Sequence, residues 1–276
     1  MADRWADLER PPLDARALAA GLAGEGRPWR EIRVVEETGS TNADLLDAAR
    51  SGAGAGLVLV AEAQSAGRGR SGREWVSPPR AGLTFSVLLR PGPAVPVDRW
   101  GWLPLLAGLA VQRALAGLAE VEALLKWPND VLLGPTRRKA GGLLVQVTGG
   151  AAVLGIGLNV TTRENELPHA GATSLAIEDA ACTDRDPLLR AVLRRLATDY
   201  DRWRAASGDP AASGLHAGYV AVCDTVGRPV RVSLPDGSVL DGTATAVDAT
   251  GRLVVRTAAG ERAVSAGEVE HVRPAG

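Results

Sequence analysis

Residues 126–160 read KWPNDVLLGPTRRKAGGLLVQVTGGAAVLGIGLNV, and this stretch decides the fold. Three apolar runs, 131–133, 140–147 and 151–160, are separated by a polar turn and by Gly149-Gly150. Short apolar runs divided by glycine and polar turns are typical of antiparallel strands joined by hairpins. We therefore predict that consecutive antiparallel strands form this part of the chain.

Toward the N-terminus, strand patterns alternate with helix patterns. Together with the hairpins they predict an α+β fold, in which a mixed or antiparallel sheet is flanked by helices. Asp186 is the predicted cap of the long helix 187–203, and Pro187 suits its first turn. The predicted strands are 32–37, 57–63, 82–91 and 121–126, and the predicted helices are 14–22, 43–50, 103–118 and 187–203.

The texture of the sequence changes after about Val226. Short alternating apolar runs are separated there by PDG, ATG and AAG turns, which indicates a small β-barrel of about 50 residues. We predict three regions: an N-terminal extension (1–30), a main domain (31–225) and the C-terminal barrel (226–276).

Composition and charge exclude several classes of protein. The chain has 276 residues, 46% of them hydrophobic, and a net charge of -1, so no basic field points to DNA or a membrane. The start MADRWADLERPPLD does not resemble a signal peptide, and no uncharged apolar run reaches the length of a membrane span. The two cysteines of the chain lack metal-ligand spacing and fit a reducing compartment. We expect a cytoplasmic protein.

Two of the 31 basic residues are lysines, Lys126 and Lys139, and the other basic residues are arginines. A lysine ammonium is a compact point charge, whereas a guanidinium is a planar fork, so the two are not interchangeable at a tight site. Lys126 precedes Trp127-Pro128-Asn129-Asp130, which is also a strong turn sequence. Lys139 precedes Ala140-Gly141-Gly142. We favour a functional reason for both lysines over compositional drift.

A glycine- and arginine-rich stretch, 67–75, follows the second strand. Its GRGRSG formally matches G-x-G-x-x-G, but Pro78-Pro79 blocks the helix that a dinucleotide fold requires. What remains is a flexible loop whose glycines admit a ligand and whose arginines can clamp carboxylate or phosphate oxygens. A solvated surface loop is an equally good interpretation from these residues alone.

Polar residues mark the start of the helix at 43–50. Thr41 and Asp44 have the spacing of a capping box, and the free N–H groups of a helix start can also bind a polar ligand. Gln64 ends an apolar strand and needs a partner. Gly155 and Gly157 lie within a strand, where glycine indicates either close ligand approach or tight packing.

Taken in order along the chain, these segments resemble the biotin protein ligase family. The matching segments are TGSTN (38–42), AEAQSAGRGRSGREW (61–75), KWPNDVLL (126–133), RKAGGLL (138–144), GIGLNV (155–160) and ATSL (172–175). The resemblance implies a class II synthetase-like catalytic domain with an SH3-like C-terminal barrel. It also implies a ligase that makes biotinyl-5'-AMP from biotin and ATP, with Mg²⁺, and transfers biotin to a lysine of a biotin carboxyl carrier domain.

The resemblance also assigns roles to residues. Lys126, Lys139, Arg70 and Asp130 would be catalytic, with Asp130 orienting or deprotonating the acceptor lysine, or binding Mg²⁺. Loop 67–75 would order over the ligand. Biotin would contact Ser40, Thr41, Asn42, Gln64, Arg68, Gly69, Arg70, Lys139 and Gly142. ATP would contact Arg70, Arg73, Trp75, Lys126, Asn129, Asp130 and Asn159. Metal ligands are not assigned.

Several alternatives stay open. A lipoate or octanoate acyltransferase on the same scaffold, or a non-catalytic biotin regulator, would share parts of the pattern. We expect no operator binding, because the first 30 residues show no DNA-binding domain, and we leave a homodimer open. Gln146 receives no role, and we interpret Arg137 and Arg138 as surface charge. The resemblance implies that the barrel after 226 closes on the nucleotide or carrier side, although no single residue in it is assigned.

Overall fold

The computed structural model describes residues 10–265 and 267–272. The helices are α1 (Ala15–Leu22), α2 (Thr41–Arg50), α3 (Trp102–Leu118), α4 (Arg185–Ala205) and α5 (Leu215–Val220). The first seven strands are β1 (Glu31–Thr38), β2 (Leu57–Gln64), β3 (Gly82–Leu89), β4 (Ala123–Lys126), β5 (Asp130–Leu133), β6 (Arg138–Thr148) and β7 (Ala151–Asn159). The last five are β8 (Pro229–Ser233), β9 (Val239–Val247), β10 (Leu253–Thr257), β11 (Gly260–Val264) and β12 (Glu268–His271).

The larger sheet has seven strands in the order β1-β2-β3-β7-β6-β5-β4. β1 and β2 are parallel and the other neighbours are antiparallel, so the predicted mixed sheet and its hairpins are confirmed. Leu45, Leu46 and Ala49 of α2 pack on one face against strand residues such as Leu59 and Val153. The opposite face is covered by α3 and α4. The fold is therefore α+β, as predicted.

α3 is the central helix of this core. Val97–Leu118 is long and apolar enough to span a membrane by length and composition, with a mean hydropathy of 1.2, but 61% of that window is buried inside the protein. The helix packs against α4 and the sheet, which explains its apolar composition.

α4 begins two residues earlier than predicted. Its N-cap is Asp184, whose side chain accepts from the backbone N–H of Asp186. Asp186 instead pairs with Arg190 one turn later. The predicted cap at Asp186 was wrong, because the helix extends two residues upstream of Pro187, to Arg185. Its buried face consists of Leu189, Val192, Leu193, Leu196, Tyr200 and Trp203.

The C-terminal strands form a separate five-stranded antiparallel sheet in the order β11-β10-β9-β8-β12. Two buried indoles join it to the larger sheet: Trp127 Nε1 donates to the Gly251 carbonyl at 3.0 Å, and Trp102 Nε1 donates to the Asp248 carbonyl at 3.2 Å. The predicted all-β C-terminal unit is confirmed, and the boundary at 226 stays a prediction. At the other end, Asp14 caps α1. The start MADRWADLERPPLD, which we interpreted as not being a signal peptide, lies mostly outside the described residues.

Candidate functional site

A cavity of about 570 Å³ lies at the end of the larger sheet where β2 meets the start of α2. Every residue to which a site role was assigned from the sequence lines it, although these residues come from segments more than 100 positions apart. They are Ser40, Thr41, Asn42, Gln64, Arg68, Gly69, Arg70, Arg73, Trp75, Lys126, Asn129, Asp130, Lys139, Gly142 and Asn159.

One wall of the cavity is a chain of polar side chains. The Thr41 N–H donates to Gln64 Oε1 at 2.8 Å, and the Thr41 hydroxyl lies 3.0 Å from the same oxygen and 2.7 Å from Ser86 Oγ. Ser86 donates to Asn42 Oδ1 at 2.6 Å, and Asn42 Nδ2 donates to Gln146 Oε1 at 2.9 Å. We call these five residues the polar wall.

The predicted capping box is absent from this helix start. α2 begins at Thr41 with Ser40 as its N-cap, and in the described structure the Ser40 side chain makes no capping hydrogen bond. Asp44 accepts instead from the Thr38 hydroxyl at 2.6 Å. The Thr41 hydroxyl turns toward Ser86 because strand β3 offers a buried partner there.

Ser86 and Gln146 were missed by the sequence analysis. Ser86 is completely buried within a mostly apolar strand, GLTFSVLL, and a serine in such a run was the available signal. Gln146 lies on β6, 104 positions from its partner Asn42, so no local pattern links the two.

Glycines give two side chains room on the sheet. A Cβ at Gly155 would lie 2.3 Å from Asn42 Oδ1, and a Cβ at Gly157 would lie 2.3 Å from the Trp75 indole. Gly142 pairs with Gly157 across β6 and β7 and also lies under Trp75. Trp75 Nε1 is buried and has no hydrogen-bond partner among the described residues. The strand glycines therefore allow the Asn42 side chain to approach the sheet at Gly155 and the Trp75 indole to approach it at Gly142 and Gly157.

Loop 67–75 is tied down rather than free. Gly69 N–H donates to the Arg73 carbonyl at 2.7 Å, and Trp75 N–H donates to the Gly67 carbonyl at 2.9 Å. Arg70 reaches Asn129 Oδ1 at 3.3 Å, and Arg73 pairs with Glu268 of β12. Its backbone closes as a small hairpin, which the sequence did not predict, and most of its residues are exposed, as the interpretation as a surface loop expected. Arg68 stays exposed at the cavity mouth.

A β-bulge directs Lys139 into the cavity. Simple alternation would place residue 139 on the same face as Leu143, in the core. The ladder between β5 and β6 shifts opposite Val131 and Leu132, so Ala140 is buried instead. Lys139 Nζ then lies 2.6 Å from Asp130 Oδ1 and 3.6 Å from where a Cβ of Gly142 would be.

The cations of the cavity differ in their surroundings. Within the described structure, Lys126 makes no hydrogen bond or ion pair at contact distance, whereas Lys139 is paired with Asp130. Burial lowers the pKa of Arg70, and the charges of Asp130 and Glu268 oppose that effect. Lys126, like Arg68 at the cavity mouth, is therefore a cation whose charge is available to a bound anion.

Asn129 and Asn159 hold backbone around the cavity. Asn129 Nδ2 donates to the Leu143 carbonyl at 3.1 Å, and Asn159 Nδ2 donates to the Thr173 carbonyl at 3.0 Å. The second bond fixes the 172–175 segment beside Lys139, whose own carbonyl accepts from Thr173 N–H at 2.9 Å.

The interpretation of Arg137 and Arg138 as surface charge was wrong. Arg137 pairs with the buried carboxylate of Asp224, and Arg138 pairs with Glu164 and Glu178 at 3.0 Å each. Their acidic partners lie far away in the sequence, which hid these pairs.

The C-terminal sheet also contributes to the cavity, through residues that the sequence did not single out. Residues 267–270, at the start of β12, line it beside the glycine loop, where Arg73 pairs with Glu268. The cavity is therefore built by both sheets together.

Comparison with known proteins agrees with this arrangement. Residues 34–162 match the Biotin/lipoate A/B protein ligase family, and residues 225–272 match the Biotin protein ligase C terminal domain. The chain is 46% identical to a biotin–[acetyl-CoA-carboxylase] ligase of Mycobacterium tuberculosis, over 99% of this chain and 100% of the relative. The chain belongs to the biotin protein ligase family.

Solved structures of biotin protein ligases share the fold. The Aquifex aeolicus enzyme in complex with biotin and ATP superposes with a TM-score of 0.72 at 28% identity and covers 89% of this chain and all of its own. The Leishmania major enzyme in complex with biotinyl-5-AMP superposes at 0.58 with 25% identity, covering 88% of this chain and 99% of its own.

The side chains near the cavity indicate how this biotin protein ligase would hold a metal ion. Among residues 10–265 and 267–272, no group of three His, Cys, Asp or Glu side chains has the arrangement of a metal site. Mg²⁺ commonly binds through one or two carboxylates together with substrate phosphates, so the cavity fits a phosphate-held ion with Asp130 as a nearby carboxylate.

Proposed function

We propose that this protein is a biotin–[biotin carboxyl-carrier protein] ligase. It joins biotin and ATP into biotinyl-5'-AMP, releases pyrophosphate, and transfers biotin to one lysine of a biotin carboxyl carrier domain, such as that of acetyl-CoA carboxylase. The observation that carries the proposal is one cavity that unites a polar wall, a glycine-backed indole and five lysine and arginine cations.

The polar wall is suited to the ureido ring of biotin. A cyclic urea presents one acceptor oxygen and two N–H donors, and it needs partners of both kinds. If Thr41 donates to Ser86, the donors run Thr41 to Ser86 to Asn42 to Gln146. The lone pairs of Thr41 and the hydroxyl of Ser40 are then left to face the ring, with Gln64 beside them.

The cations of the cavity suit the first step, in which the biotin carboxylate must approach the ATP triphosphate although both are anions. Two anions approach each other only if fixed positive charge stabilises the oxygens that become more negative. Arg68 and Arg70 lie on the loop side, and Lys139 lies beside Gly142. We assign Lys139 to the biotin carboxyl and Lys126, whose ammonium has no contact partner in the described residues, to the phosphates.

Residues on the opposite side suit the nucleotide. The Trp75 indole offers a flat apolar face for adenine, with Arg73, Asn129 and Asn159 nearby. Mg²⁺, when bound with ATP, would neutralise phosphate charge, with Asp130 as the candidate protein ligand.

The second step requires the carrier lysine as an uncharged amine. Its nitrogen attacks the carbonyl of the mixed anhydride, the carbonyl–oxygen bond to AMP breaks, and AMP leaves with the electron pair. The amine proton must be accepted, and Asp130 is in the cavity to take or orient it. Loop 67–75 shields the anhydride from water.

Enzymes that use the rival substrates lipoate and octanoate share the catalytic-domain family with biotin ligases. The C-terminal match and the polar wall both favour biotin, because an alkyl chain would leave buried donors and acceptors unpaired. A non-catalytic biotin regulator would not need the lysine pair. We further propose a cytoplasmic protein that does not bind DNA; a homodimer stays open.

A labelling assay tests the proposal. The protein is mixed with a carrier domain, ATP and Mg²⁺, in parallel with biotin, lipoate or octanoate, and the product is weighed by mass spectrometry. We expect one biotin on one carrier lysine. Labelling by lipoate or octanoate instead, or no label with a folded enzyme and a competent carrier, would overturn the proposal.

A further inference from the structure

A line of hydrogen bonds connects the KWPND segment to the C-terminal sheet. The backbone N–H of Trp127, directly after Lys126, donates to Thr225 Oγ1 at 3.0 Å. Thr225 Oγ1 lies 3.1 Å from His271 Nε2, and His271 Nδ1 lies 3.5 Å from Asp224 Oδ2. Thr225 is fully buried, and the side chains of Asp224 and His271 are 5% and 18% exposed. None of these three residues has a role in the chemistry described above.

The geometry selects one tautomer of His271. Thr225 Oγ1 already accepts from Trp127, so its own proton is free to go to Nε2. Nδ1 then carries the ring proton on the side of Asp224 Oδ2, which lies 3.5 Å away and accepts no hydrogen bond among the described residues. The reverse tautomer would place a nitrogen lone pair against a carboxylate oxygen, which is unfavourable. Burial, together with the charges of Lys126 and Arg137, lowers the pKa of His271 to about 4, so the imidazole stays neutral at physiological pH.

Asp224 anchors this line among fixed cations. Its Oδ1 accepts from Arg137 and from Arg228, the latter at 2.7 Å. Burial raises the pKa of Asp224, and the charges of Arg137 and Lys126 oppose the rise. The backbone N–H of Asp224 donates to the Leu125 carbonyl at 2.7 Å, so the carboxylate is held beside the end of β4.

The line meets the cavity at both ends. At one end is the turn that presents Lys126 and Asn129. At the other end is β12, which closes with His271 and whose residues 268–270 line the cavity. A shift of β12 relative to the turn would therefore widen the nucleotide side without reaching the polar wall.

We propose that His271, held between Thr225 and Asp224, is a positioning residue that fixes β12 against the Lys126–Asp130 turn and thereby sets the affinity for ATP. The inference rests on the proposed function, in which Lys126 and this side of the cavity receive the nucleotide. It goes further by assigning a specific task to the C-terminal sheet through residues that bind no substrate themselves.

A second histidine provides a matched control. His216 Nε2 lies 2.8 Å from the Val247 carbonyl, so it also joins the larger unit to the C-terminal sheet, and its ring packs beside Trp102. His216 does not line the cavity. Replacing either histidine by phenylalanine removes one bond between the two units, but only His271→Phe acts on the turn.

The experiment compares His271→Phe, Thr225→Val, Thr225→Ser and His216→Phe in adenylate formation, with KM determined separately for ATP and biotin. We expect His271→Phe and Thr225→Val to raise KM for ATP about fivefold to tenfold, the effect of losing one buried hydrogen bond. KM for biotin should change less than about twofold. Thr225→Ser, which keeps the hydroxyl, and His216→Phe should keep the wild-type KM for ATP, although His216→Phe should lower Tm.

Nitrogen NMR of the His271 ring in the wild-type protein supplies a readout that does not depend on activity. A protonated Nδ1 and an unprotonated Nε2 are expected, and the opposite tautomer would overturn the inference. Equal rises in both KM values, or the same ATP effect from His216→Phe, would show a general structural role and would also overturn it. If the wild-type protein made no biotinyl-AMP, the proposed function would fail, while the NMR result would still judge the hydrogen-bond line.

Discussion

At the scale of single residues, Lys139 shows how position and chemistry combine. The bulge at Ala140 directs its side chain to the ligand face, and Asp130 holds the ammonium at 2.6 Å. A guanidinium is broader and spreads its charge over a planar fork, so it cannot occupy the same point between Asp130 and Gly142.

We predict that Lys139→Arg lowers the rate of adenylate formation about 100-fold, because it moves the charge away from its place, a loss typical of losing one correctly placed donor to a transition state. Pyrophosphate release measures it. Arg138→Lys is the matched control, because it makes the reverse change at the next position and can keep its ion pairs; we expect a rate within about twofold of wild type. Wild-type rates for Lys139→Arg would show that charge alone suffices.

Gly157 supports a second prediction at this scale. A Cβ there would lie 2.3 Å from the Trp75 indole, so Gly157→Ala must displace the ring from the sheet. We expect a rise of about tenfold or more in KM for ATP, measured in the same assay, and a changed tryptophan fluorescence spectrum.

Gly117→Ala is the control for that substitution. Gly117 lies in α3, and no heavy atom outside its own helix lies within 4 Å of its added Cβ. It should leave KM for ATP unchanged and stabilise the protein by about 0.4–1 kcal/mol. An unchanged KM in Gly157→Ala would mean that the indole does not contact the nucleotide.

Single-residue interpretations failed where the partner lies far away in the sequence. Arg137 looked like surface charge because Asp224 is 87 positions away, and Gln146 gave no signal because Asn42 is 104 positions away. The motif residues that received a site role from the sequence all line one cavity, and their types are set by ligand chemistry. Tertiary hydrogen bonds depend on a topology that no local pattern specifies.

At the scale of elements, the periodic patterns predicted the strands and helices, while their ends were less certain. The α4 cap moved from Asp186 to Asp184, since both acids precede the same apolar face and only the backbone geometry separates them. The small hairpin in loop 67–75 was not predicted, because glycine content alone does not reveal the closing bonds between Gly69 and Arg73 and between Gly67 and Trp75.

The roles of Asp184 and Asp186 at the start of α4 can be distinguished by experiment. Asp184→Ala removes the side chain that accepts from the backbone N–H of Asp186, so we expect it to cost about 1 kcal/mol and to lower Tm by about 2–4 °C. Asp186→Ala loses an i,i+4 ion pair with Arg190, which is worth about 0.3–0.5 kcal/mol. Thermal unfolding of both variants decides the order, and a larger loss at Asp186 would contradict the assignment of the cap.

At the scale of the whole molecule, composition and pattern indicated two units, and the family resemblance implied that the second closes on the nucleotide or carrier side without naming a residue. The α+β sheet and the all-β C-terminal part each follow from local periodicity. Their contact depends on indoles that reach turns more than 100 residues away, and it places residues 267–270 in the cavity wall. The C-terminal sheet therefore acts as part of the site.

This shared cavity predicts different outcomes for the two joining indoles. Trp127→Phe and Trp102→Phe each remove one buried hydrogen bond to the turn that contains Asp248 and Gly251, so both should lower Tm by a similar amount. Trp127 lies between Lys126 and Asn129 at the cavity, whereas Trp102 lies at the start of α3 and does not line it. Only Trp127→Phe should weaken ATP binding, by about fivefold in a calorimetric titration, with biotin binding retained. If Trp102→Phe weakened ATP binding equally, the C-terminal sheet would influence the site through overall stability instead of through the turn after Lys126.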